Sequence, residues 1–287
     1  MDKGILPIGP STKAVLDVFS VDRVDDWGLP GHGSSNSGCG TFFYKGCLEV
    51  GKHAQARVDG IGVVGKGFVK LKRVSCGRPE CPVCYESWAS REAHRIDYRI
   101  SQFKTKMKKI HVTVSPSRRD WGLSVSSMRK KAYVLSRKVG FLGGSCIFHP
   151  FRQDAESKEW YFSPHFHLIG FGWVKGTGEN YRSSGWVVKN IGVRESVQAT
   201  AFYQLTHCGV YYGKGRKHSV TWFGRLSYNK LKVIPEKPKK EICPLCGGEL
   251  HEVIWVGVGK CPLSDEQTEG FFDSGGWVYK MSPEFLF

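Results

Sequence analysis

The sequence predicts an α+β fold, and three observations carry that prediction. The stretch Ile110-His111-Val112-Thr113-Val114 alternates apolar and polar residues until Ser115-Pro116 stops it, as a strand with one buried face requires. Two further strand-like runs, 145–149 and 161–171, are separated by a polar linker over 153–158, the pattern of a hairpin. Between and around them lie segments free of Gly and Pro, over 85–103 and 196–207, together with a basic stretch over 126–139, and all three read as helices.

The chain of 287 residues is 40% hydrophobic, with nine Trp and seventeen Phe, enough for one good-sized core, or a core plus a small satellite domain. Its 42 Lys and Arg against 26 Asp and Glu leave a net charge of +16, which favours a polyanionic partner, because neutralising phosphates releases condensed counterions. Nucleic acid leads over a membrane surface, since no apolar run approaches 18 residues and no clean basic amphipathic helix is visible. No apolar signal region follows Met1, so the expected compartment is a reducing cytoplasm, where clustered cysteines more often mean zinc than disulfides.

Composition divides the chain into four stretches. Residues 1–40 are rich in Gly, Ser and Asp and predict a loosely ordered arm. Residues 41–105 hold brief Gly-punctuated strands, a cysteine knuckle and a helix carrying Arg91, Arg95 and Arg99 on one ridge. Residues 106–234 are the expected catalytic domain, and 235–287 carry a second knuckle after the linker Pro235-Glu236-Lys237-Pro238-Lys239-Lys240.

In Pro164-His165-Phe166-His167-Leu168 the two histidines stand two apart on a strand, so both rings leave one face and can share a metal ion. His149, before Pro150, is the first candidate for a third ligand, with Asp154, Glu156 and Glu159 in the linker as alternatives. Mixed imidazole and oxygen donors with open positions suit Mn²⁺ or Mg²⁺. Downstream, Tyr203 and His207 lie at i and i+4 of one helix and share a face, which makes Tyr203 the first candidate nucleophile and His207 its polarising partner. Tyr211 and Tyr212 are the alternates.

The knuckle Cys76…Cys81-Pro82-Val83-Cys84 offers three thiolates to one zinc ion, and Cys47, His53 and Cys39 are the upstream options for the fourth ligand, Cys47 slightly preferred. Cys243-Pro244-Leu245-Cys246 is a second zinc half-site, with Cys208, His218, His251 and Cys261 as possible complements. Lys214, Arg216 and Lys217, interleaved with Tyr211, Tyr212, Trp222 and Phe223, form a candidate surface for single-stranded DNA, and Arg118, Arg119 and Arg129-Lys130-Lys131 are further candidates.

The order Val112-Thr113-Val114-Ser115-Pro116, then Pro164-His165-Phe166-His167-Leu168, then a tyrosine-bearing helix resembles the three motifs of HUH endonucleases, especially archaeal plasmid and virus replication initiators of the rolling-circle type. The upstream Cys-Pro-x-Cys knuckle and the run over 221–228 resemble that group too, so the likeness covers roughly residues 76–250. The resemblance implies a central antiparallel sheet flanked by helices (an RRM-like palm), a divalent-metal site on a central strand, and a tyrosine that joins covalently to a 5′ phosphate at a nick in origin DNA. Many members carry Tyr-x-x-Lys; Thr206 stands at that lysine position after Tyr203, whereas Tyr211 has Lys214. No Gly-x-x-x-x-Gly-Lys-Ser/Thr loop is present, so a host helicase, alongside a host polymerase, is an expected partner. A relaxase or transposase shares this chemistry, and a zinc-bearing DNA-binding regulator without catalysis is the alternative from another class.

Overall fold

The computed structural model describes residues 23–53, 57–58, 61–62, 64–236, 240–264 and 266–280. They fall into two compact units, one built from residues up to 35 with 76–234, the other from 36–75 with 235–287.

The first unit holds a five-stranded antiparallel sheet in the order β11-β7-β8-β6-β9. Its strands are β6 (Lys109–Ser115), β7 (Phe141–Gln153), β8 (Trp160–Gly172), β9 (Val187–Val193) and β11 (Val220–Gly224). The strand and hairpin expected from the sequence are β6, β7 and β8, each running past the apolar stretch that announced it. β9 was not expected; its exposed Val187, Ile191 and Val193 break the alternation that marks a half-buried strand.

Helices cover both faces. Helix α2 (Tyr85–Ser101) buries Ala89, Ala93, Ile96 and Ile100, a stripe at helical spacing, against Ile147, Ile169 and Phe171 of the sheet. Helix α3 (Val125–Lys138), whose Ser124 cap accepts from Ser127 N at 3.2 Å, lays Met128, Ala132 and Leu135 on the opposite face, over Val112, Val114, Phe148, Phe166 and Leu168. Helix α5 (Val197–Leu205) starts at Ser196, which accepts from Ala199 N at 3.0 Å, and joins α2 on its side through Val197, Ala201 and Leu205. The short α4 (Thr177–Ser184) ends at Gly185, left-handed at φ 71°.

Two expectations need correction here. The 1–40 arm is not loose from residue 23 onward: β1 (Trp27–Gly28) pairs with β10 (Val210–Tyr211), and Trp27 and Leu29 are buried. A Gly- and Ser-rich composition hid these two apolar anchors. The 41–105 stretch is also not one domain, since α2 belongs with the sheet of the first unit, while β2 (Phe42–Cys47) and β5 (Lys66–Arg73) pair across a long sequence separation with β12 (His251–Trp255) and β13 (Glu269–Asp273).

The second unit is therefore an antiparallel sheet in the order β13-β5-β2-β12-β14, with β14 at Trp277–Tyr279. It also carries the one-turn helix α1 (Val50–His53) and a two-stranded ribbon of β3 (Arg57–Val58) and β4 (Ile61–Gly62). Among the described residues no helix is long and apolar enough to cross a membrane.

Phe166 is fully buried between the two histidines of β8, packed on Phe148 with ring centroids 5.3 Å apart. Phe166→Ala is expected to cost about 3–5 kcal/mol in denaturant unfolding, and a cost under 1 kcal/mol would contradict this packing.

Candidate metal centre

Pleating sends odd- and even-numbered residues of β7 and β8 to opposite faces. Phe148 and Phe166 enter the core under α3, and His149, His165 and His167 project together toward the α2 and α5 side, His149 directly opposite His165 in the ladder. One ligand atom from each of the three lies within 4.8 Å of the others, a group able to hold a metal ion. Asp154, Glu156 and Glu159 take no part: they sit in the hairpin turn, where Asp154 accepts from the Glu156 and Ser157 backbone N–H groups at 2.9 Å each. The donor set is thus all imidazole.

The hydrogen bonds leave nitrogen lone pairs for an ion. His165 Nδ1 donates to the Ser163 carbonyl at 2.8 Å, which leaves Nε2 as the unprotonated donor. His149 is fully buried, and neither of its ring nitrogens has a partner. An orphaned buried polar atom costs roughly 1–3 kcal/mol, so this imidazole fits a ligand's role better than a packing role. His167 Nδ1 is hydrogen-bonded at 2.7 Å to Nε2 of His111, which the sequence pattern marks only as a strand residue. Its position in the strand opposite the His-x-His pair was the available signal. Arg194 approaches His111 Nδ1 at 3.3 Å.

Burial keeps this cluster neutral. It pushes His149 and His167 well below the usual histidine range, with neighbouring imidazoles adding to the effect. Burial with the nearby Arg152 takes His165 down to about 3, and burial with Arg194 takes His111 down to about 4. Arg152 itself donates to Ser163 Oγ at 3.2 Å and Ser115 Oγ at 3.0 Å, leaving a half-buried cation beside the histidines.

Tyr203 projects from α5 with 65% of its surface exposed, its ring centroid 4.8 Å from that of His207. His207 in turn stands 4.7 Å from His149, and burial holds its basicity down despite a hydrogen bond to the Tyr203 backbone. The alternates are engaged elsewhere. Tyr211 packs on Trp27 in the β1–β10 pair, under Lys217, and the Tyr212 hydroxyl donates to the Leu29 carbonyl at 2.5 Å.

The cysteine knuckles regroup. Cys76, Cys81 and Cys84 bring their sulfurs within 4.8 Å of one another, Cys76 and Cys84 at 3.8 Å, where Cys84 caps α2. Cys47 and His53, expected with that knuckle, lie instead with Cys243 and Cys246. Pairing of β2 with β12 carries the end of β2 to the second knuckle, which spacing along the chain does not reveal. None of Cys208, His218, His251 and Cys261 joins this group. Cys47 Sγ stands 3.7 Å from Cys246 Sγ, and His53 Nε2 stands 3.5 Å from the sulfurs of Cys47 and Cys243. Tetrahedral zinc, with bonds of about 2.3 Å to sulfur and about 2.05 Å to nitrogen, gives edges of about 3.8 and about 3.6 Å. His53 Nδ1 donates to the Lys66 carbonyl at 2.9 Å, which turns its Nε2 lone pair toward the thiolates.

Several basic candidates have internal partners. Arg99 is buried, donating to the Leu226 and Leu231 carbonyls, and Arg91 binds the Gly77 carbonyl. Arg119 binds the Ser184 carbonyl, Arg129 that of His218, and Lys131 pairs with Asp120. Phe223 is core, whereas Lys214, Arg216 and Lys217 are exposed. Comparison with family models, curated proteins and solved structures finds no match to the chain.

Cys47→Ser or Cys243→Ser is expected to remove one equivalent of zinc from purified protein by elemental analysis, leaving the metal held by Cys76, Cys81 and Cys84; simultaneous loss of both would refute two separate sites. The histidine cluster sets a pH dependence. The unfolded chain takes up protons below about pH 6.5 that the folded cluster refuses until about pH 4 at His111 and about pH 3 at His165. Folding stability therefore falls as pH drops through that window, by up to about 1.4 kcal/mol per pH unit for each such histidine. Flat denaturation midpoints between pH 7 and pH 5 would contradict a neutral cluster.

Proposed function

We propose that this chain is a metal-dependent endonuclease and strand transferase for single-stranded DNA. In this reading it nicks an origin for rolling-circle replication of a plasmid or virus and later reseals the strand. The observation that carries the reading is an exposed helix-borne phenol, Tyr203, joined through His207 to three neutral histidines, two of them buried, that lack any acidic partner. The order of the strand, the His-Phe-His run and the tyrosine helix, which resembles HUH endonucleases, supports the same chemistry.

His149, His165 and His167 would hold a divalent ion, which supplies Lewis-acid polarisation of the scissile phosphate. An all-nitrogen set favours Mn²⁺ over Mg²⁺, since magnesium prefers oxygen. Arg152 adds fixed positive charge beside that position. His207, kept neutral, is placed to accept the phenolic proton of Tyr203. The Tyr203 oxygen then attacks phosphorus, the bond from phosphorus to the 3′ oxygen breaks, and that oxygen leaves as a hydroxyl after taking a proton. One phosphodiester replaces another, so the 3′ hydroxyl can later attack the 5′-phosphotyrosine and free Tyr203 without a nucleotide cofactor. The four-ligand group of Cys47, His53, Cys243 and Cys246 fits structural zinc closed to substrate, and the thiolates of Cys76, Cys81 and Cys84 suit zinc as well. Exposed Lys214, Arg216 and Lys217 supply a phosphate-binding surface, and a host helicase and polymerase would complete replication.

With Mn²⁺ and oligonucleotides tiling the replicon that encodes it, the chain is expected to form an adduct that survives denaturation. Tyr203→Phe should abolish the adduct, and His165→Ala or His167→Ala should slow its formation by about 100-fold or more. Absence of cleavage across the whole replicon would overturn the enzymatic reading, and an undiminished adduct from Tyr203→Phe would remove this tyrosine from its role.

A further inference from the structure

A cavity of about 530 Å³ opens beside Tyr203 and His167, walled by α5, β6 and the end of β9. Two of its lining groups are unsatisfied. Gln204, 5% exposed, has a side-chain oxygen with no hydrogen-bond partner. Arg194 is half-buried; its Nε–H is buried without a partner, while a terminal nitrogen of the same guanidinium reaches His111 Nδ1 at 3.3 Å. Thr113 and Thr200 add hydroxyls, Ile191 adds an apolar wall, and no carboxylate lines the space.

Idle polar groups in a cavity are costly unless a ligand meets them. The half-buried arginine, its buried Nε–H idle, calls for an anionic acceptor, and the buried Gln204 carbonyl calls for an N–H donor. A nucleotide carries both within one unit, a phosphate and the exocyclic amine of a base, and the cavity lies in the size range of small-ligand sites. A glutamine amide matches the amine and N7 of adenine with two hydrogen bonds. We infer that this cavity is a subsite for one nucleotide of the bound strand, with its phosphate on Arg194 and an adenine edge on Gln204, next to the nucleophilic Tyr203. The inference rests on the single-strand DNA reading above and assigns its base preference to Gln204.

The test is fluorescence anisotropy of the zinc-replete full chain with fluorescein-labelled dA12, dC12 and dT12 at one salt concentration. The wild type is expected to bind dA12 about 10-fold more tightly than dT12. Gln204→Met, which keeps the volume and removes the acceptor, should bring the homopolymers to parity, and Arg194→Met should weaken all of them by a similar factor. Equal wild-type affinities, or a preference that survives Gln204→Met, would overturn the subsite. The wild-type comparison decides by itself if a variant fails to fold. Displacement of dA12 by micromolar dAMP would mark a free-nucleotide site and overturn the strand assignment. Adduct formation is read separately: an adduct without base preference removes the subsite alone, while a preference without an adduct removes the nicking chemistry alone.

Discussion

The register of the β7–β8 ladder is the constraint on which the candidate site depends. Phe148 faces Phe166 and His149 faces His165, so the even residues fill the core under α3 while the odd ones converge on the other side. A slip of one residue would send every side chain of the strand to the opposite face, driving imidazoles into the apolar core under α3 and moving Phe166 to the α2 and α5 side. Burial of the two phenylalanines holds the histidines in register, because the histidines themselves, desolvated and in the case of His149 without any hydrogen-bond partner, contribute little to folding without an ion.

The electrostatics follow from that geometry. Five imidazoles, His111, His149, His165, His167 and His207, sit close together with their basicity held down by burial, while the cations Arg152 and Arg194 stand near. Neutral nitrogen donors accept a divalent ion without first shedding protons. The arginines, in turn, would repel a bare ion but suit an ion accompanied by phosphate oxygens. The site is therefore better matched to a metal and a phosphate together than to either alone, which agrees with the chain's excess of positive charge.

Local pattern made much of this legible. Alternation identified β6, the His-x-His spacing placed two rings on one face, and the i, i+4 relation put Tyr203 beside His207. His149 was legible as a third ligand because a hairpin brings the ends of its strands together. Contacts between segments distant in sequence were not. The partnership of Cys47 and His53 with Cys243 and Cys246 depends on β2 pairing with β12, and no local spacing encodes that pairing. His111 as a partner of His167 and the cavity groups Arg194 and Gln204 depend likewise on which strands and helices become neighbours. Helical spacing puts Arg91, Arg95 and Arg99 on one ridge, yet Arg99 turns inward to stack on Trp222 and bind two carbonyls. A residue's direction around a helix is set by what packs there, and the sequence does not name that neighbour.

The most direct measurement of the central claim is Mn²⁺ binding to the zinc-replete chain at neutral pH, followed by electron paramagnetic resonance with resolution of nitrogen couplings. One saturable site is predicted, with couplings from imidazole nitrogens that diminish in His149→Ala. Manganese that keeps only water around it, or a nitrogen signal unchanged in His149→Ala, would contradict the account.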